Sequence, residues 1–194
     1  MFTRIPILML IGLILMFSAG PLPAQEIDKL VVLPLRDRSE QPTGGIEILE
    51  KVVENYFGKS RRVVMLTTDQ LQALLGSETG NRRDLARVVA EKMDSDGMLV
   101  FTLERYRQRV GSELSATDPA SLSFNFRLFK VPEIRMICSG RFDETQRSLS
   151  ENILDFSQAR KRGFKWITAE DMAEKAVKDR FDKCQDLKDR SSTD

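Results

Sequence analysis

The feature that most limits what this chain can fold into is a pair of strand-like segments joined by a proline corner. Along residues 120–131, apolar and polar side chains alternate with the two-residue period of a strand that buries one face. The apolar set is Leu122, Phe124, Phe126 and Leu128, and the polar set is Ser121, Ser123, Asn125 and Arg127. After the Val131-Pro132-Glu133 corner, the inward face of a second strand over 134–143 is predicted to hold Ile134, Met136, Cys138, Gly140 and Phe142. With a strand that begins near Met98, these segments predict an antiparallel meander with helices on one side.

Helical periodicity dominates the chain before the meander. Apolar spacing predicts strands over 30–35 and 62–66 and helices over 46–57 and 82–93. Between the helices, Thr67 and Gln70 form a capping box that begins a further helix. The segments 36–45, 76–81 and 111–119 are predicted to be loops, and the glycine-containing loops at 44–45 and 76 lack the motif of a phosphate-binding loop.

Two more capping boxes follow the meander. Ser148 and Glu151 predict a short helix that ends near Phe156, and Thr168 and Asp171 begin the closing helix. The inner stripe of the closing helix is Ala173, Val177, Phe181 and Cys184.

The main elements therefore follow the order β-α-β-α-α-β-β-β-α. Strands that are separated by helices should run parallel, and consecutive late strands should run antiparallel. The predicted fold class is α/β, a single domain with one mixed sheet. Its N-terminal strands are parallel, its C-terminal meander is antiparallel, and helices pack on it.

The N-terminus has the pattern of an export signal. Arg4 is followed by an apolar run over 5–17 and by small or helix-breaking residues over 18–24. The run is shorter than the ~20 residues that cross a bilayer, so we predict cleavage after about Ala24, with an uncleaved inner-membrane anchor as the alternative. The predicted divisions are a signal peptide over 1–24, one α/β domain over 25–187 and a disordered tail over 188–194.

Composition excludes several kinds of active site. The chain contains no histidine and only two cysteines, which rules out serine–histidine–aspartate triads, histidine-ligated zinc and a four-thiolate metal site within one chain. After removal of the leader, 29 basic residues face 29 acidic ones, because Arg4 is the only charge in the leader. Nucleic-acid binding needs a surface rich in basic residues, so we expect no nucleic-acid partner. We also expect no cofactor.

The two cysteines, Cys138 and Cys184, fall on the predicted inward faces of a strand and a helix. Export would make a disulfide chemically feasible. Because a bridge needs Cα atoms within about 7 Å of each other, the sequence leaves the pairing open. We favour two buried free thiols over the disulfide.

An acidic stretch at the end of the last strand raises the question of catalysis. Asp143, Glu144 and Gln146 lie within four positions of each other. Adjacent strand residues point to opposite faces, so the carboxyls of Asp143 and Glu144 diverge. We therefore favour a structural role for this stretch, as a polar connection between the strand and the following helix. A partner-binding edge and a catalytic pair are the alternatives.

A second stretch combines bases with aromatic side chains. It contains Arg160, Lys161, Arg162, Phe164 and Trp166. Such a combination suits an anionic partner or a membrane interface, although a solvated turn with packed aromatics is the simpler interpretation. We predict that this stretch, together with Asp143, Glu144 and Gln146, is the most promising partner-binding surface of the chain.

The strand LVVLPL and the order of elements resemble the α/β domain of CsgG-type curli-secretion proteins, the penicillin-binding-protein activator LpoB and the N-terminal domain of TolB. The motifs FDETQ-x-LSEN and GFKWITAEDMAE are similar to a group of uncharacterised bacterial envelope proteins. The resemblance implies a periplasmic module without known catalytic residues that acts by binding or oligomerising. The chain lacks the lipid-attachment cysteine of the lipoproteins among these relatives.

Three functions follow as hypotheses. The favoured one is a non-enzymatic periplasmic module that associates with envelope proteins or with itself, with membrane contact only through its leader or periphery. The first alternative is an envelope enzyme that uses carboxylates such as Asp143, Glu144 and Glu104. The second is a carrier of a small apolar ligand or lipid, which the phenylalanine-rich strand face suggests.

Overall fold

A computed structural model describes residues 27–39, 44–112, 116–146 and 166–184 of the 194-residue chain. The predicted leader, the predicted helix over 148–156 and the predicted tail lie outside the described residues. The strands are β1 (Lys29–Val32), β2 (Arg36–Asp37), β3 (Arg62–Met65), β4 (Gly97–Arg107), β5 (Val110–Gly111), β6 (Ala116–Asp118), β7 (Ser121–Lys130) and β8 (Arg135–Thr145). The helices are α1 (Gly45–Phe57), α2 (Thr68–Leu75), α3 (Arg82–Met93) and α4 (Ala169–Phe181).

One mixed sheet organises the fold. Its strand order is β3-β1-β4-β7-β8, with β2 also paired to β4. The β1–β3, β1–β4 and β2–β4 pairs are parallel, whereas β4, β7 and β8 form an antiparallel meander. The predicted fold class is therefore confirmed, including the division between parallel and antiparallel strands.

Helices cover the two sides of the sheet unequally. On one side, α1 and α4 pack against alternate apolar residues of β1, β4 and β7. On the other side, α2 and α3 cover a smaller cluster around Val31, Met98 and Val131. Polar residues occupy the rest of that second side, along β4, β7 and β8, because the alternation in β7 places serines and Asn125 there.

The main core is rich in phenylalanine. Phe181 of α4 packs on Phe126 with ring centroids 4.2 Å apart and on Phe57 of α1 at 4.8 Å. Phe101 and Phe124 extend this cluster along β4 and β7, with their centroids 4.9 Å apart. The side chains that suggested a carrier of apolar ligands therefore pack on one another.

Local sequence signals position the helices. Two of the three predicted capping boxes are present, at the beginnings of α2 and α4, where Thr67 and Thr168 accept the backbone N–H of Gln70 and Asp171. The third lies outside the described residues. At the beginning of α1, a Cβ on Gly45 would lie 2.6 Å from Cγ of Tyr106. Glycine at this position therefore lets α1 approach β4 closely, and the loop that contains Gly44 and Gly45 has a packing role.

Two parts of the sequence prediction need correction. The segments 36–45 and 111–119 contain short strands, β2 and β6, where only loops were expected. In β8, the pairing shifts between the partners of Leu128 and Phe129, so Ile137 forms a bulge. The bulge reverses the alternation, and Met136 is exposed (53%) instead of facing inward.

A disulfide joins Cys138 in β8 to Cys184 just after α4, and the two Cα atoms are 5.8 Å apart. The expectation of two free thiols is therefore wrong. It failed because the sequence shows that both residues face inward but not that the end of α4 crosses β8 at Cys138. The bond ties the closing helix to the last strand of the meander.

The polar sheet face as candidate functional site

The candidate site is the open part of the second side of the sheet, which we call the polar sheet face. Its members are in-register neighbours on β2, β4, β7 and β8, and such neighbours share one face. They are Arg36, Thr102, Glu104, Arg105, Arg107, Ser121, Ser123, Asn125, Arg127, Ser139, Arg141, Asp143 and Thr145. Five arginines and two acids give this face a formal charge of +3, although the chain is nearly neutral.

Arg105 is the structural centre of this face. Its Nε donates to the hydroxyl of Ser121 on β7 at 2.6 Å. Its Nη2 donates to Oδ1 of Asp143 and, at 3.5 Å, to the hydroxyl of Thr145 on β8. One side chain therefore spans from β4 across β7 to β8. A bulge between Leu103 and Arg105 aims the guanidinium in this direction.

Asp143 lies between two guanidinium groups. Its Oδ2 accepts from Nη2 of Arg141 at 2.8 Å, while its Oδ1 accepts from Arg105. These hydrogen bonds, the one from Arg141 first, hold the pKa of the Asp143 carboxyl below its usual range. An ionised carboxylate that is paired in this way is a poor general acid or base at neutral pH.

The floor beneath the Arg105 side chain consists of small hydroxyl residues. Ser121 and Ser123 are 0% and 1% exposed. The hydroxyl of Ser121 lies 2.7 Å from that of Thr145. Within the described residues, the buried hydroxyl of Ser123 has no hydrogen-bond partner. This polar floor lets the long arginine lie flat on the sheet.

Two other arginines of this face have no partner among the residues that the structure describes. Arg36 and Arg127 are exposed, and neither makes a side-chain hydrogen bond or ion pair to any described residue. A guanidinium has five N–H donors, and water satisfies them when no protein group does. Arg36 and Arg127 are therefore the members of this face that are free to receive acceptors from another molecule.

The described members of the predicted partner-binding set do not lie on one surface. Asp143 belongs to the polar sheet face, while Glu144 is half-buried on the opposite side of β8. Gln146 is buried, and its side-chain carbonyl accepts the backbone N–H of Ile167 at 3.1 Å. Gln146 therefore positions the beginning of α4, and its burial corrects its assignment to a contact surface.

The basic stretch is described only in part. Trp166 is half-buried, and its backbone carbonyl accepts from Nη1 of Arg109. Arg160, Lys161, Arg162 and Phe164 lie outside the described residues, so their assignment stays a prediction.

Sequence reasoning did not find the arginines. It placed Arg127 on the outward face of its strand but assigned no role to Arg36, Arg105 or Arg141. The available signal was the polar half of the alternation in β7, since an outward row of serines and Asn125 leaves room for long neighbouring side chains. The three-strand span of Arg105 depends on the bulge in β4, which has no sequence signature.

A second charged surface lies on the far side of the domain. The outer side of α1 carries Glu47, Glu50 and Glu54, which we call the acidic stripe. Their spacing of three and four residues aligns them along one side of the helix. Partial burial, and secondly the neighbouring charge of Glu47, raises the pKa of the Glu50 carboxyl. The stripe is therefore a concentration of negative charge.

Two absences hold for the part of the chain that the structure describes. No group of three or more cysteine, aspartate or glutamate side chains is arranged to hold a metal ion. Nor does any described helix have the length and apolar character that crossing a membrane requires.

No protein-family model matches the chain, and no curated protein matches it in sequence. Among solved structures, a variant PelC dodecamer from Paraburkholderia phytofirmans is similar, with 14% identity, coverage of 76% of this chain and 82% of that chain, and a TM-score of 0.48. Lipoprotein GNA1162 from Neisseria meningitidis has 14% identity and a TM-score of 0.44, and the match covers 70% of this chain and 98% of that chain. The C-terminal domain of LpoB from Escherichia coli has 13% identity and a TM-score of 0.40, and the match covers 70% of this chain and 93% of that chain.

These likenesses carry no argument about function, because the TM-scores are below 0.5 and the identities are low. LpoB is one of the proteins that the sequence resembles, and the neighbour from Neisseria meningitidis is a lipoprotein. The CsgG-type and TolB parts of the resemblance stay predictions.

Proposed function

We propose that this chain is a non-enzymatic module of the bacterial cell envelope that binds protein partners through the polar sheet face. The observation that carries the proposal is the pair of exposed arginines, Arg36 and Arg127, which have no partner among the described residues. The other charges of this face have partners within the domain. Mutual ion pairs hold Arg105, Arg141 and Asp143. Glu104 accepts from Asn125, and Arg107 donates to the carbonyl of Pro119. A rigid polar surface with free guanidinium donors suits recognition of carboxylates.

The arrangement of carboxyls does not favour the enzymatic alternative. Asp143 is paired with two arginines, and its neighbour Glu144 faces the other side of the sheet. Glu104 accepts a hydrogen bond from Nδ2 of Asn125 at 2.9 Å. Paired acid–base catalysis on glycans requires two carboxyls that converge on one bond, whereas Asp143 and Glu104 bind structural partners and Glu144 faces away from them.

The disulfide supports the proposed compartment. Disulfides persist in oxidising compartments such as the periplasm and are rare in the cytosol. The Cys138–Cys184 bond and the leader-like N-terminus therefore point to the same location by independent routes. Export remains part of the proposal and can be tested by mass spectrometry of the N-terminus of the mature protein.

The proposal is tested by photo-crosslinking in cell envelopes. A photoreactive amino acid at the exposed Ser139 should crosslink one defined protein, and R36E/R127E should abolish that crosslink. The matched control K175E/K183E makes the same charge change on exposed residues at the other side of the domain and should leave the crosslink intact. A crosslink that survives R36E/R127E unchanged would show that partners do not use this face.

A further inference from the structure

We infer that the polar sheet face binds a second copy of this chain, which presents the acidic stripe of α1. This inference rests on the proposed function, because it names a partner for the same face. Its starting point is the segregation of charge in a chain whose formal net charge is only +1. Basic residues are concentrated on one side of the sheet and acidic residues on the helix that covers the other side.

The two surfaces are accessible in the same molecule. Glu47 and Glu54 are exposed and Glu50 is half-exposed, and the apolar residues of α1 face the core instead. Within the described residues, the side chains of Glu50 and Glu54 have no ion-pair or hydrogen-bond partner. Free carboxylates on one side of the domain thus match free guanidinium groups on the other.

The dimensions of the two surfaces are compatible. Residues 47 and 54 are seven positions apart, which corresponds to about 10 Å along a helix. Arg36 and Arg127 lie on strands β2 and β7 with β4 between them, which separates them by about 10 Å across the sheet. Arg141 adds a further arginine on the next strand, β8, and the long arginine side chains can adjust to the spacing of the glutamates. A helix laid across the strands would meet one arginine at each end of the stripe.

On each surface, the few charges of the opposite sign favour a protein partner over a membrane or a polyanion. Glu104 and Asp143 place carboxylates within the arginine face, and these would repel a uniformly anionic surface. The acidic stripe has a corresponding exception in Lys51, whose Nζ lies 3.8 Å from Oε1 of Glu170. Each surface therefore combines a majority charge with a minority charge of the opposite sign, as the other surface requires.

The contact would be heterologous, because two different surfaces on opposite sides of the domain meet. Such contacts repeat from copy to copy and produce closed rings or open filaments, never a symmetric pair alone. The surfaces are polar, so association should be fast, weak and dependent on salt. Screening shortens the range of charge interactions from about 30 Å at 0.01 M salt to about 3 Å at 1 M.

The test is sedimentation velocity of the chain purified as its host processes it, with the disulfide intact. We expect wild-type protein to form species larger than dimers at low salt and to dissociate at high salt. R36E/R127E alone and E50K/E54K alone should each weaken association by about tenfold or more. A mixture of these two variants should restore association, because the unchanged face of one variant meets the unchanged stripe of the other and the two reversed surfaces are also of opposite charge.

The control K175E/K183E has the same net charge as R36E/R127E but should not weaken association. Thermal melting of every variant verifies folding. A wild-type protein that stays monomeric at low salt, or variants that fail to complement each other, would overturn the inference. Neither result touches the proposed function, since crosslinking through Ser139 to a different envelope protein would still be observed.

Discussion

Removal of the disulfide should cost this domain a large part of its stability. The variant C138A/C184A deletes the bond between β8 and the end of α4, and alanine avoids placing a hydroxyl at the buried Cys184. The two cysteines are 46 positions apart. For a loop of this length, the chain-entropy relation gives about 4 kcal/mol at 25 °C, because the bond limits the conformations of the unfolded chain. The total free energy of unfolding of a native domain is only about 5–15 kcal/mol.

Urea denaturation followed by circular dichroism measures this loss. With an m-value of about 2 kcal/mol per molar, 4 kcal/mol lowers the midpoint by about 2 M. The same loss lowers the melting temperature by roughly 8–16 °C for a domain of this size. Wild-type protein treated with a reductant should lose the same amount, whereas the reductant should leave C138A/C184A unchanged.

The reasoning fails if C138A/C184A is within about 1 kcal/mol of the oxidised wild type, since experimental values for native disulfides are typically 2–5 kcal/mol. A small loss with a clearly larger m-value would indicate that the unfolded chain is compact when the bond is present. Mass spectrometry under alkylating conditions must first establish that the wild-type sample contains no free thiol.

Three further predictions concern the polar sheet face and the core. D143N should destabilise the domain by at most about 1 kcal/mol because its ion pairs are exposed. Since the folded-state pKa of Asp143 is lowered, this contribution is complete above the pKa of the unfolded carboxyl and disappears as the pH falls below about 4. G140A should cost about 1–3 kcal/mol, because the added Cβ would lie 2.7 Å from Cε1 of the buried Phe126 ring. T168A should cost about 1 kcal/mol, because it removes the hydroxyl that accepts the backbone N–H of Asp171.

Chemical denaturation measures all three variants. A stability difference between D143N and wild type that does not shrink as the pH falls below about 4 would contradict the assigned ion pairs, as those require an ionised carboxylate. For G140A, an unchanged midpoint would mean that the Phe126 ring can move despite its packing on Phe181. T168S provides the matched control and should keep most of the stability that T168A loses, since serine also caps helices well.

Much of the fold could be predicted from local signals. Alternation in β7, two capping boxes and the order of elements led to the mixed sheet, because each signal expresses a steric or hydrogen-bonding requirement of the local backbone. The bulges at Glu104 and Ile137 could not be predicted, since they depend on how neighbouring strands pair. One of them reversed the orientation of Met136, which sequence alternation had placed inward.

The candidate site was less predictable than the fold. Asp143 was noticed because it is acidic and follows a strand, but its partners Arg105 and Arg141 come from a strand 38 residues away and from its own strand. Gln146 looked like part of a polar surface, yet it is buried and positions α4. Pairings across the sheet decide both outcomes, and a single sequence does not record them.

The bond between Cys138 and Cys184 also affects how the protein would respond to proteases. The two residues enclose a covalent ring of chain that contains the basic stretch from Arg160 to Trp166. A single cut anywhere inside that ring leaves the two fragments attached to each other. Nicked molecules would therefore migrate as intact protein until a reductant separates the pieces, and only reducing gels would reveal the cleavage.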